Sequence, residues 1–255
     1  MELRTAIEFI EAAGAVVATT RLLGVGSAGR FPALFSYLVF LAVLNIDLGL
    51  LAYESNAYFY NYFFLEILKC ALSVVAVREL VSLIFEDYPG IGTVGRWVIC
   101  AAVPVCLGVS VLVAFFFWNG GPRGRSTVFY LEISQRSVFF TLAVVIIALL
   151  FTLSRYPLRL PRNTVISCVS FSALLLSDAF RLLIDGLAPP PYLYNRYVDW
   201  SESVFSGVCM VAWAVLLSAR DDTVPARITF LNPREEHLLQ ELAALNQVLA
   251  RVARR

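Results

Sequence analysis

Lysine and histidine are nearly missing from this chain: among 255 residues there is one lysine, Lys69, and one histidine, His237. With the histidine outside every apolar segment, the segments lack the ligands for a haem or zinc site, and redox chemistry through bundled haems is excluded. No phosphate loop, nucleophile elbow or paired catalytic signature occurs, so the chain is not expected to be an enzyme and no cofactor is expected. Strand-like alternation is absent, which argues against a β-barrel. A clustered basic n-region is lacking too, and the first apolar block contains Glu8 and Glu11, so no separate cleavable signal is expected. The near-zero net charge of +1 points neither to nucleic acid nor to an acidic partner.

What is abundant is apolar matter. At 59% hydrophobic and 15% charged residues, the chain carries more apolar surface than one soluble core hides. Its apolar blocks are about 20 residues long, the length of helix that crosses about 30 Å of hydrocarbon. The expectation is an all-α integral membrane protein in contact with the lipid bilayer. All five cysteines, Cys70, Cys100, Cys106, Cys168 and Cys209, fall inside apolar segments, where they read as small packing residues and not as a disulfide framework.

Seven spans are predicted: about Leu3 to Leu23, Pro32 to Tyr53, Tyr58 to Asp87, Gly95 to Trp118, Ser137 to Leu153, Thr164 to Leu187, and Asp199 to Ser218. The first is diluted by Glu8, Glu11 and Arg21, and an interfacial helix is its alternative. Pro104 predicts a kink in the fourth. Asn163 and Thr164 are the expected caps of the sixth. The domain reading is a seven-helix transmembrane bundle over residues 1–220, a linker over 221–231 and a tail helix over 232–255.

Arginine placement gives the orientation, because basic residues are retained in short cytoplasmic loops. Arg21, Arg30, Arg96, Arg155, Arg159, Arg162, Arg220 and Arg227 fall on one side, which puts the amino terminus outside and the carboxyl terminus in the cytoplasm. Arg123, Arg125 and Arg136, assigned to the loop before the fifth span, run against this rule. Arg155 to Arg162 form a stiff basic inner loop, and Arg78 and Glu79 are expected to snorkel to the inner interface.

A repeat is one reading of the order of spans. Tyr58, Tyr60 and Asn61 open the third span as Tyr192, Tyr194 and Asn195 precede the seventh, so spans one to three would recur as five to seven about a linking fourth. The other reading is an aromatic belt at the interface.

The polar residues within the spans carry the functional expectation. An ionisable residue in a lipid-spanning helix costs a few kcal/mol, so it faces the bundle interior with a partner. Glu66 and Lys69 are three apart, as are Asp178 and Arg181, and that spacing suggests a pair within each helix. With Asp47 and Glu202 these residues form the expected ligand site, open to the outer side: Asp47, Glu66, Lys69, Asp178, Arg181 and Glu202. No metal site is expected. A retinal Schiff base on Lys69 is set aside, because rhodopsins carry that lysine in the last helix and the last helix here has none.

The tail begins at Asn232 and Pro233, with Leu238, Leu242, Leu245, Leu249 and Val252 in 4-3-4-3 spacing. That stripe suits a second copy or a cytoplasmic partner, or else the inner leaflet. In architecture alone the chain looks like seven-helix receptors and sensors, and like three-plus-one-plus-three sugar transporters. The leading expectation is a receptor-like or sensor-like protein for a small polar or charged solute. The alternatives are a small-solute transporter and a non-catalytic scaffold or accessory subunit.

Overall fold

A computed structural model describes residues 2–50, 56–86, 99–105, 127–154, 161–187 and 192–218, with isolated positions between them. All regular structure among the described residues is helical. The helices are α1 (Glu2–Gly24), α2 (Pro32–Leu50), α3 (Asn56–Ile84), α4 (a helical run over residues 99–105), α5 (Thr127–Ser154), α6 (Arg162–Leu187) and α7 (Tyr192–Leu216). The expected tail helix, Cys106 and the arginines of the 155–159 loop lie outside the described residues.

Among the described residues, three helices are long and apolar enough to cross a membrane: Pro32–Leu50, Ile133–Phe151 within α5 and Arg162–Arg181 within α6. Trp200–Leu216 is apolar but shorter. The outer faces of the more charged helices are apolar as well. Phe9, Val16, Val17 and Leu23 are exposed on α1, Phe64, Ile67, Leu68 and Val75 on α3, and Phe205, Val208, Val211 and Val215 on α7. Charge lowers the mean hydropathy of these helices while their outward faces remain oily, the reverse of a water-soluble helix.

Neighbouring helices form a closed ring. α1 packs on α2, α2 on α3, α3 on α5, α5 on α6, α6 on α7, and α7 returns to α1. One core runs through the ring, with Tyr37, Phe139, Phe171, Leu142 and Trp213 among its largest buried side chains. The Tyr37 and Phe171 rings meet edge to face at 5.1 Å, which ties α2 to α6 across the centre. Gly95 stands against the carboxyl-terminal end of α3, where a Cβ added to it would lie 2.9 Å from Val81 Cγ1, and Ile99 of α4 is buried in the core.

Chain ends and turns are fastened by side chains. α1 ends where Gly26 takes the left-handed conformation at φ +73°, open to glycine without strain. Pro32 then starts α2 at a position that needs no amide hydrogen. Glu79 does not snorkel: its carboxylate accepts 2.9 Å bonds from Ala33 N and Leu34 N, two donors that the first turn of α2 leaves without helical partners. Glu79→Ala is therefore expected to lower stability by about 1–2 kcal/mol, the usual size of a lost helix cap. Denaturation of the detergent-purified protein would measure it, and a loss indistinguishable from zero would show that water serves those amides equally well.

Several sequence expectations need correction. α5 begins at Thr127, ten residues before Ser137, so Arg136 is a helical residue and not part of the preceding loop. α7 begins at Tyr192 and not at Asp199. In both, the helix begins upstream of the apolar block on polar and aromatic residues that hydropathy does not register. Asn163 and Thr164 are not caps, because α6 is already helical from Arg162 and the Pro161 carbonyl accepts from Thr164 N and Val165 N. Asn163 instead holds the end of α7, donating to Ser218 O at 2.8 Å and accepting from Ser218 N at 3.1 Å. Arg21 grips the same end from α1, donating to Ala214 O and Leu217 O.

Candidate functional site

Lys69 finds its counter-ion on another helix. Its Nζ stands 2.9 Å from Asp178 Oδ2, joining α3 to α6, and the two side chains are only 9% and 13% exposed. The ammonium also lies 5.5 Å from the centre of the Phe139 ring of α5. Glu66, expected to pair with Lys69, turns to α5 and accepts a 2.8 Å bond from Gln135 Nε2. Arg181, expected to pair with Asp178, places Nε 3.8 Å from Glu202 Oε2 of α7. Both within-helix pairs are thus replaced by contacts between helices. The reason is geometric: residues three apart share a helix face, and when that face looks into a bundle each side chain meets a different neighbouring helix.

These contacts belong to one electrostatic cluster. Glu202 is within reach of Glu11, Asp178, Arg181 and Lys69, and Arg181 of Glu202, Tyr62, Asp178 and Glu66. Tyr37 of α2 is within reach of Lys69, Asp178, Glu66 and Glu11. Ser203 Oγ donates to Glu11 Oε1, which joins α7 to α1. Every helix of the ring contributes: Glu11 from α1, Tyr37 from α2, Glu66 and Lys69 from α3, Gln135 from α5, Asp178 and Arg181 from α6, Glu202 and Ser203 from α7.

Asp47 is not drawn in. It accepts a 3.0 Å bond from Asn61 Nδ2 on the exposed outer seam between α2 and α3. Of the six expected site residues, Glu66, Lys69, Asp178, Arg181 and Glu202 come together, and Asp47 stands at the rim.

Sequence reasoning missed Tyr37, Gln135 and Ser203. Tyr37 had a signal, because it shares a buried helix face with Leu34, Leu38 and Leu41 and so puts a phenol on the inner side of α2. Gln135 was missed by placing the start of the fifth span too late. Glu11, noted as a charge within the first span, was left out of the expected ligand set.

Two grooves open elsewhere. One is lined by Val17, Thr20, Arg21 and Gly24 of α1 with Ala214 and Val215 of α7, the other by residues of α5 and α6 including Ile147, Phe151, Val169 and Leu176. Neither reaches the cluster. Cys70, Cys100, Cys168 and Cys209 are free thiols. Among the described residues there is no grouping of histidine, cysteine and carboxylates that could hold a metal ion.

No family model matches the chain, and no curated protein and no solved structure matches it either.

Proposed function

We propose that the chain is a seven-helix membrane bundle, amino terminus outside and carboxyl terminus cytoplasmic, that senses a small polar or charged solute arriving from the outer side. In this reading the solute engages the cluster of Glu66, Lys69, Asp178, Arg181 and Glu202, and a shift of α7 carries the signal to the cytoplasmic tail. One observation carries the reading: α7 holds Glu202 and Ser203 in the cluster near its midpoint and is gripped by Arg21 and Asn163 at its carboxyl end. A solute that exchanges partners with Arg181 or Lys69 changes the force on that helix. Such a response requires different contacts in the two states, and ion pairs that cross between helices supply them.

Thermal melting of the purified protein against a panel of small solutes tests this. A solute at a hundred times its dissociation constant adds about 2.7 kcal/mol to the folded state. The expected result is a stabilising solute whose shift disappears in Arg181→Gln and in Lys69→Met. A shift of full size in both variants would remove the cluster from the binding site. If no solute shifts the wild type, the charges are structural and the protein is an accessory subunit or scaffold.

A second reading, a small-solute transporter, draws on the ring itself. The contacts of α1, α2 and α3 with one another follow the same order as those of α5, α6 and α7, and the two triplets close on each other twice, through α3 with α5 and α7 with α1. Two like halves about a central polar site is the arrangement of many transporters. Solute uptake into proteoliposomes separates this reading from the first.

A further inference from the structure

The groove between α1 and α7 is lined by Val17, Thr20, Arg21 and Gly24 on one side and by Ala214 and Val215 on the other. Its volume of about 550 Å³ falls in the range of ligand pockets. Val17 and Val215 are exposed apolar side chains, and Val16, Leu23, Val211 and Leu216 extend that surface along the two helices. The groove therefore opens on the oily outer face of the bundle and not on its polar centre. Of the lining side chains only Arg21 has donors to offer, because the Thr20 hydroxyl bonds back to Val16 O at 2.9 Å and Val17 O at 3.0 Å.

Arg21 is anchored, but its charge is not neutralised. Nε donates to Ala214 O at 3.2 Å and Nη2 to Leu217 O at 3.1 Å, at the carbonyl end of α7. These bonds fix the guanidinium and occupy two of its N–H groups, leaving the others for a further acceptor. Carbonyl oxygens carry partial charges only. Arg30, Lys69 and Arg181 pair with Glu86, Asp178 and Glu202, whereas among the described residues no carboxylate pairs with Arg21. The depth is that of a lipid headgroup: α1 ends at Gly24, one turn beyond Arg21, and the apolar run of α7 ends at Leu216. A fixed cation where two helices leave the hydrocarbon, beside an apolar groove open to lipid, suits an anionic headgroup.

We propose that the groove between α1 and α7 binds one anionic phospholipid, with its phosphate on the remaining N–H groups of Arg21 and an acyl chain along Val17, Ala214 and Val215. A soluble anion gains nothing from the apolar walls, and a zwitterionic lipid brings its own cation to the guanidinium. In the orientation proposed above, the lipid comes from the inner leaflet. The site requires α1 and α7 to lie in the bilayer and is independent of any solute at the cluster.

Native mass spectrometry of the full chain in detergent, titrated with phosphatidylglycerol or phosphatidylcholine of the same acyl chains, tests this. Wild type is expected to prefer phosphatidylglycerol as its first bound lipid by about fivefold, the size of one arginine's attraction to an anionic surface. Arg21→Gln should lose the preference. Because that variant also gives up the hold on α7, Gly24→Leu provides a second route. No atom lies within 4 Å of a Cβ at Gly24, so leucine enters the groove without displacing packed side chains. This variant should fold and show no preference between the two lipids. Equal binding of the two lipids by wild type, or a preference that survives in Gly24→Leu, overturns the proposal. Displacement of the lipid by an equal concentration of glycerol phosphate also overturns it and gives the site to a soluble anion. A preference that emerges only with Asp221→Asn and Asp222→Asn overturns it in favour of the chain's own carboxylates.

Discussion

Replacing Lys69 with methionine is expected to destabilise the protein by about 3–5 kcal/mol, the usual cost of removing one partner from a buried ion pair. The loss does not come from the lysine's own attractions. It comes from Asp178, left at 13% side-chain exposure after its counter-ion, 2.9 Å away, is removed. Glu66 also lies near that ammonium, so removing the ammonium leaves two carboxylates without the cation. The contact with Phe139 at 5.5 Å adds a smaller term, about 0.5–2 kcal/mol.

The same argument predicts the rescue. Lys69→Met together with Asp178→Leu removes both charges and leaves apolar side chains of similar volume, a change that is often neutral or stabilising for a buried pair. Thermal melting of the two single variants and the double variant in one detergent would complete the cycle. A double variant close to wild type fits the contact described here. A double variant whose loss is the sum of the singles would mean that Lys69 and Asp178 do not interact.

This pair also shows what a sequence conveys about a bundle and what it hides. That Lys69, Asp178, Arg181 and Glu66 turn into the bundle and take partners could be read from apolar surroundings alone, because a charge facing lipid is costly. Which partner each takes could not. Spacing along one helix is visible in sequence, whereas the facing helix is chosen by rotation about the helix axis and by ring order. Here α3 lies between α2 and α5 and also touches α6, so Glu66 and Lys69 reach different helices. Asp47 was misjudged for the same reason: its face turns to the α2 and α3 seam, where it accepts a bond from Asn61. Asn163 illustrates the reverse. Its type and position resemble a cap, but Pro161 provides the initiating carbonyl, which frees the amide to bind Ser218 of α7.

The contact between α1 and α7 sets the geometry of the Glu11 side of the cluster, and it depends on glycine. A Cβ at Gly14 would meet Gly207 Cα at 3.2 Å and Gly207 O at 3.4 Å, while a Cβ at Gly207 would meet Ile10 Cγ2 at 3.1 Å. Close backbone approach through small residues is how helices pack where lipid removes the hydrophobic drive to associate. The two glycines are not equivalent. Ile10 can rotate its methyl group away, and the gain of about 1 kcal/mol in helix propensity from glycine to alanine offsets the remaining strain. Gly207→Ala is therefore expected to be nearly neutral, and Ile10→Ala should relieve whatever loss it shows. At Gly14 the obstacle is backbone and cannot rotate, so the helices themselves must part. Gly14→Val is expected to cost about 3 kcal/mol, the upper end of ordinary overpacking, and Ile10→Ala should not rescue it. The separation falls one turn from Glu11 and from Ser203, which pulls the hydroxyl from the carboxylate it serves. Melting of Gly14→Val, Gly207→Ala and each combined with Ile10→Ala measures the asymmetry. Equal losses at the two glycines would mean that α1 and α7 do not meet in this register, and the Glu11 to Ser203 contact would fall with it.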